Sequence, residues 1–308
     1  MSIALMITDR DLSSLSKALS DKLPDVAIKQ WPDCCLDKNV EFAVAWRHPM
    51  SMWQQFPNLK VVSSLGAGVD GLITDQSRPE HIQLTRIVDN NLSIQMSEFV
   101  LTAILMHKCR INEFQQASTK REWVFHPRLK HDTVTILGAG EIGMAVAERL
   151  NANGFSVSTW SQTKKSAPYI AQSFTGDKEL HKSVENAAFV VSILPATKDT
   201  DNIVNKRLLS SMPKHAYFIN VGRGNAVDEK ALLHALDKEF VSGALLDVFK
   251  DEPLPETHAF WQCKKLQITP HISAITEESA IVEQIVDNYL RFKQKKPLKN
   301  RVNVENGY

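Results

Sequence analysis

Short apolar runs alternate with stretches of helical periodicity along almost the whole chain. Ile3 to Ile7 is apolar, Leu12, Leu15 and Leu19 follow at helical spacing, and further runs come at Val26 to Trp31, Phe42 to Trp46 and Lys60 to Ser64. After a gap the alternation resumes, with predicted strands at Val134 to Leu137, Phe155 to Thr159, Phe189 to Leu194, Ala216 to Val221, Gly243 to Val248 and Leu266 to Thr269. Helical patterns such as Asp228 to Lys238 lie between several of them. This is the pattern of an α/β protein, and the second set makes one doubly wound parallel sheet of six or so strands. Between the two sets, residues 91 to 117 carry Phe99, Val100, Ala103, Ile104 and Leu105 with no Pro or Gly, and read as one long linking helix. Glu122 to Asp132, with Trp123, Phe125 and Pro127, reads as a surface connection. A last helix is predicted from Thr276 as cap, with Glu277 and Glu278 in its first turn, through Ile281, Ile285 and Tyr289. Packing of that helix back on the first unit makes the smaller domain discontinuous, 1–98 with 275–308, around a larger domain at 99–274.

Two strands run straight into glycine turns. Val134 to Leu137 enters Gly138-Ala139-Gly140-Glu141-Ile142-Gly143 and then Ala145, Val146 and Leu150 at helical spacing. That is the strand, turn and helix of a dinucleotide site: Gly138 for the tight turn, Gly140 for close approach of a pyrophosphate, Gly143 for helix packing. Lys60 to Ser64 enters Leu65-Gly66-Ala67-Gly68-Val69-Asp70, which lacks the third glycine.

Composition narrows the partners. The 308 residues carry 36 Lys plus Arg against 35 Asp plus Glu, so a net charge of +1 gives no general pull toward nucleic acid or an anionic membrane. A small-molecule partner is expected. Cys34, Cys35, Cys109 and Cys263 show no metal-ligand spacing, and reduced buried thiols are the simplest account. With neither a secretory h-region nor a membrane-length apolar run, a cytoplasmic location is expected. The basic run from Arg291 to Arg301 reads as a solvated end.

Three strand ends beyond the fingerprint carry candidate chemistry. Asn220-Val221-Gly222-Arg223-Gly224 sets a guanidinium where doubly wound sheets bind ligands, able to hold a carboxylate bidentately, although a turn arginine at the surface is the plain alternative. Asp247 to Pro255 is rich in acids and prolines and could be an ordinary solvated loop. Thr269-Pro270-His271-Ile272-Ser273-Ala274 places a histidine that could equally be structural. Their order raises all three together. Glu252 precedes His271 by 19 residues on a neighbouring strand end, and a carboxylate beside an imidazole favours its protonated form, giving a general acid near neutral pH.

With these residues in view, the chain resembles the D-2-hydroxyacid dehydrogenases, and within them the glyoxylate/hydroxypyruvate reductases of the A type. The likeness runs through SLGAGVD at 64–70, GAGEIG at 138–143, WSQTKKS at 160–166, NVGRG at 220–224, LDVFKDEPLP at 246–255, TPHISAIT at 269–276 and the closing Gly307-Tyr308. It implies a Rossmann cofactor domain with a smaller flavodoxin-like substrate domain, and a substrate cleft between them walled on one side by the nicotinamide. It further implies Arg223 as substrate-orienting cation, Glu252 as partner of His271, and His271 as acid/base. Substrate contacts are implied for Ala67, Gly68 and Val69, with Trp46 and Met96 as pocket residues. Asp247 falls near the nicotinamide amide. The remaining cofactor contacts implied are Gly138, Gly140, Glu141, Ile142, Gly143, Ser161, Gln162, Thr163, Lys164, Leu194, Pro195, Val221, Gly222 and Ser273. The reaction implied is hydride transfer to C2 of a small 2-oxo acid, glyoxylate or hydroxypyruvate, by a homodimer whose interface lies near 91–125.

The residues themselves speak to the cofactor. NAD sites usually place an acid about 20 residues beyond the glycine turn. From Asn151 to Gly176 there is no Asp or Glu, and Ser161-Gln162-Thr163-Lys164-Lys165 offers hydroxyls and two cations suited to a 2′-phosphate. NADPH is therefore predicted, with NADH as the alternative, since Gln162 stands where the resembling reductases often have arginine. The rival from another class is a nicotinamide-nucleotide-sensing binding protein, of the corepressor type that resembles this same family.

Overall fold

The computed structural model describes residues 2–49 and 52–304, so Gly307 and Tyr308 lie outside the described residues. The chain divides into two compact units, Met1–Asn91 with Thr276–Tyr308, and Leu92–Ile275.

In chain order the first unit contributes β1 (Ser2–Ile7), α1 (Ser13–Lys22), β2 (Ala27–Gln30), β3 (Val40–Trp46), α2 (Met52–Gln55), β4 (Val61–Ser64), α3 (Asp70–Ile73) and β5 (Gln83–Thr85). Its parallel sheet has the order β2-β1-β3-β4-β5, the flavodoxin order. Alternation along β1 decides the layers. Ile3, Leu5 and Ile7 face Leu15, Leu19, Phe42 and Val44, while Ala4 and Met6 face Ala43, Met52, Trp53, Phe56 and Val62.

The linking stretch is two helices rather than one. α4 (Asn90–Lys108) and α5 (Ile111–Thr119) are separated at Arg110, whose φ of 62° is left-handed. The Arg110 side chain forks onto Glu113 (2.7–3.0 Å), and its N–H closes a turn onto the His107 carbonyl at 3.0 Å. The break therefore needs neither Gly nor Pro.

The second unit continues with β6 (Thr133–Leu137), α6 (Glu141–Ala152), β7 (Ser156–Ser161), β8 (Gln172–Thr175), α7 (Gly176–Val184), β9 (Phe189–Ser192), α8 (Lys206–Ser211), β10 (Tyr217–Asn220), α9 (Glu229–Asp237), β11 (Gly243–Leu246) and β12 (Leu266–Ile268). All seven strands are parallel, in the order β12-β11-β10-β9-β6-β7-β8, a Rossmann arrangement with one strand more than the pattern gives. One face packs Val134, Ile136, Val157, Val191 and Ile219 against α4 and α6. The other packs Leu137, Trp160, Val190, Phe218 and Leu246 against α7, α8 and α9. Asp228 caps α9 by accepting the Ala231 N–H at 3.0 Å.

The final helix, α10 (Glu278–Lys293), returns to the first unit and lays Ile281, Ile285 and Tyr289 on its core. Thr276 is not its cap. Glu277 holds that position with extended backbone and no side-chain capping bond, so only Glu278 lies in the first turn. The cysteines are free thiols, but Cys34 alone is fully buried, the others being partly exposed. Among the described residues no helix is long and apolar enough to cross a membrane.

Candidate active site

Three neighbouring strands, β10, β11 and β12, end at one edge of the second unit's sheet, and their loops carry Arg223, Glu252 and His271. The loop after β10 is shaped by Asn220, whose side chain donates to the Arg223 carbonyl (3.0 Å) and accepts from the Gly222 N–H (3.3 Å). Arg223 is extended and directs one guanidinium N–H to the Gly222 carbonyl at 2.9 Å. Gly224 follows. A Cβ there would lie 1.9 Å from the carbonyl carbon of Phe249, so the arginine turn is pressed onto the backbone of the next loop and only glycine permits the approach.

That next loop carries Glu252. Its Oε1 accepts the Phe249 N–H at 3.0 Å and its Oε2 lies 2.8 Å from Nδ1 of His271. The carboxylate assigns the Nδ1 proton and leaves Nε2 as the second, outward nitrogen. Side-chain exposures of 19% for Glu252 and 40% for His271 put the pair at the rim, with the acid shielded and the imidazole accessible.

His271 itself has φ of 56°, left-handed and unfavourable for a residue with a Cβ. Fully buried Asp247 holds it there. Its carbonyl accepts the His271 N–H at 2.8 Å, and its carboxylate accepts Thr269 Oγ1 (2.6 Å), Ile272 N–H (2.9 Å) and Ser273 N–H (2.9 Å). The buried Ser273 is thus a tie of this loop through its backbone.

The glycine turn after β6 fits a dinucleotide. Gly138, at φ of 104°, would place a Cβ 2.7 Å from the Ile193 carbonyl oxygen, and Gly143 would place one 2.0 Å from the Gly138 oxygen. Gly140 meets nothing within 4 Å, so its outer side is open beside the start of α6, where Glu141 and Ile142 begin the helix. Leu194 and Pro195 follow β9, and Gly222 lies so near Leu194 that a Cβ would stand 2.6 Å from its N and O, with Val221 buried beside it. After β7, Ser161 Oγ donates to the Thr163 carbonyl (2.7 Å), a tight turn that exposes Gln162, Thr163 and Lys164. These residues suit a pyrophosphate and a 2′-phosphate.

In the first unit, the turn after β4 is braced by Ser64, whose Oγ donates to the Gly68 carbonyl at 2.6 Å. The N–H groups of Ala67, Gly68 and Val69 donate to no other described residue. Trp46 lies against this turn: a Cβ on Gly66 would be 3.2 Å from its ring. Met96 is buried in the core of the second unit beside Val100.

Residues 101–273 match the family described as D-isomer-specific 2-hydroxyacid dehydrogenase, NAD-binding domain. The chain belongs to the D-isomer-specific 2-hydroxyacid dehydrogenase family. It is 34% identical to glyoxylate/hydroxypyruvate reductase A of Yersinia enterocolitica over 94% of both chains, and 36% identical to that of Serratia proteamaculans over 88% of both. Among solved structures, a D-isomer-specific 2-hydroxyacid dehydrogenase from Xanthobacter autotrophicus, in complex with NADPH and MES, superposes with a TM-score of 0.91 at 32% identity. The superposition covers 100% of this chain and 99% of that one. A glyoxylate/hydroxypyruvate reductase from Sinorhizobium meliloti, in complex with NADP and sulfate, also gives 0.91, at 29% identity over 100% and 99%.

Membership agrees with the resemblance carried by the glycine turns and the Arg, Glu and His loops, and makes the chain one of the NAD(P)-dependent dehydrogenases. Asn220 and Thr269 were missed in the sequence. Both are short polar residues at strand ends, and only the fold reveals that one shapes the arginine turn and the other meets Asp247.

Proposed function

We propose that the protein reduces small 2-oxo acids with NADPH, glyoxylate to glycolate and hydroxypyruvate to D-glycerate. The observation that carries this is the Glu252–His271 pair at 2.8 Å on a loop clamped by Asp247. In the reaction, Arg223 orients the 2-oxo acid by its carboxylate and carbonyl oxygen, and the N–H groups of Ala67, Gly68 and Val69 receive the carboxylate. Trp46 bounds the substrate and Met96 backs it from the core. When bound, a reduced nicotinamide would supply the hydride for C2. His271, protonated with its Nδ1–H on Glu252, delivers the Nε2 proton to the oxygen as negative charge develops there.

The cofactor would be held by Gly138, Gly140, Glu141, Ile142 and Gly143 at the pyrophosphate, and by Ser161, Gln162, Thr163 and Lys164 at the 2′-phosphate. Leu194, Pro195, Val221, Gly222, Asp247 and Ser273 would line the ring side. The acid-free stretch from Asn151 to Gly176 supports NADPH over NADH, as do the relatives crystallised with NADPH or NADP. NADPH oxidation with glyoxylate and with hydroxypyruvate, compared with NADH, tests the reading. Retained NADPH binding with no turnover on any small 2-oxo acid would favour the nucleotide sensor.

A homodimer is part of the same proposal. Trp123 is 104% and Phe125 88% exposed on the irregular segment after α5, two large aromatic side chains standing in water. Light scattering on wild type and on a Trp123→Ser, Phe125→Ser double variant is expected to give a dimer and a monomer respectively. A wild-type monomer would refute it.

A further inference from the structure

The sheet edge of the first unit holds a near-buried polar node that none of the proposed steps uses. Oδ2 of Asp75 receives two donors, Nε2 of His48 at 3.0 Å and the Trp53 indole N–H at 2.6 Å. Its Oδ1 receives the Ser77 N–H at 2.9 Å and the Ser77 hydroxyl at 2.5 Å. The His48 and Asp75 side chains are only 9% and 8% exposed, and the rings of His48 and Trp53 meet edge to face at 5.6 Å. Burial pushes the Asp75 carboxyl up, but the donors from Ser77, His48 and Trp53 outweigh it and hold it well below the usual carboxylate range.

What the node grips matters. His48 is two residues beyond Trp46, the last residue of β3, and Arg47 between them has φ of 44°. The Arg47 carbonyl accepts Thr8 Oγ1 at 2.6 Å, so the short segment is pinned from both sides. Trp46 in turn lies on Gly66, directly before the N–H groups of Ala67 to Val69. A carboxylate with four donors, almost out of water, fixes the His48 ring more tightly than apolar contact would, because moving the ring away removes one of the four hydrogen bonds that offset burial of the charge.

We propose that Asp75 is a positioning residue that sets the substrate-size limit, by locking His48 and hence the Trp46 ring beside the 64–70 glycine turn. The proposal rests on the reading that this turn receives the carboxylate of a 2-oxo acid. With the ring locked, a hydrogen or a hydroxymethyl on C2 is tolerated and a long alkyl chain meets the indole; with the lock removed, the ring can swing away.

The test compares kcat/KM for glyoxylate and for 2-oxohexanoate in wild type, Asp75→Ala and Asp75→Asn, with NADPH affinity measured separately by fluorescence. Asp75→Ala is expected to lower the glyoxylate-to-2-oxohexanoate ratio about tenfold, mainly through KM, with NADPH affinity unchanged. Asp75→Asn, which keeps an acceptor, recovers part of it. Equal loss on both substrates with an unchanged ratio would mean a structural tie only and would overturn the proposal. Should Asp75→Ala not fold, His48→Ala carries the same expectation and His48→Gln, whose amide still donates, restores the ratio. A wild type inactive on every 2-oxo acid overturns the underlying reading and the proposal with it, whereas an active wild type with ratio-neutral variants overturns the proposal alone.

Discussion

Glu252 divides its carboxylate between the Phe249 N–H and the His271 imidazole, 3.0 Å to one and 2.8 Å to the other, so the acid is fixed before it touches the histidine. Its charge then acts on a ring it also orients. Glu252→Gln keeps the shape and removes the charge. The imidazole then loses the charge-assisted bond that holds its Nδ1–H, and kcat with glyoxylate should fall about tenfold or more while NADPH affinity stays unchanged. His271→Ala should cost about 10²–10⁴ in kcat at every pH. A Glu252→Gln variant with the wild-type kcat would show that the carboxylate charge is not needed.

The glycines separate cofactor binding from folding. Gly140 has open space where a side chain would go, whereas a Cβ on Gly143 would sit 2.0 Å from the Gly138 oxygen. Gly140→Ala should therefore keep the wild-type Tm and weaken NADPH about tenfold or more by blocking the pyrophosphate. Gly143→Ala should lose both, with a stability cost of about 1–3 kcal/mol or more from overpacking. Thermal melts with and without NADPH distinguish the two.

Much of this architecture was legible in advance because parallel strands buried on both faces leave continuous apolar runs such as Phe189–Ser192 and Tyr217–Asn220. The two strands that escaped are at sheet edges or nearly polar: Gln172–Thr175 offers one buried apolar residue, Phe174, and Gln83–Thr85 is three residues long. The helix break at Arg110 was invisible because its driving force is an ion pair and a left-handed residue, not a glycine. Glu252 and His271 could be paired from strand order alone, but Asp75 and His48 could not. They are 27 residues apart on unremarked loops, and only the sheet brings them together.

In the proposed reading, cofactor choice would rest on the turn after β7. Ser161 Oγ on the Thr163 carbonyl leaves Gln162 and Lys164 exposed at its tip. Gln162→Arg adds a bidentate phosphate donor and should raise the NADPH-to-NADH ratio of kcat/KM by about tenfold, while Lys164→Glu should lower it by a similar factor. A Lys164→Glu variant with the wild-type ratio would place the 2′-phosphate elsewhere.

His107 gives the fold its own pH dependence. It lies in the last turn of α4, stacked on Tyr217 at 4.0 Å and edge-on to Phe189 at 6.0 Å, and its Nε2 is buried with no partner among the described residues. Burial lowers its pKa from 6.5 to about 4, Glu113 and Arg110 adding smaller, opposed effects. In that interval the unfolded chain binds a proton that the folded ring refuses, so its contribution is complete above 6.5 and is lost as pH falls toward 4. Between about pH 7.5 and 4.5 this amounts to about 2–3 kcal/mol. His181 and His215, also lowered first by burial, act in the same sense, whereas Asp37 and Asp75, held below the ordinary 3.8, lose their contributions only at lower pH. His107→Phe keeps the stacking and cannot titrate. Urea unfolding at both pH values should show wild type losing more stability than His107→Phe by that amount, and equal losses would mean that His107 is protonated in the fold.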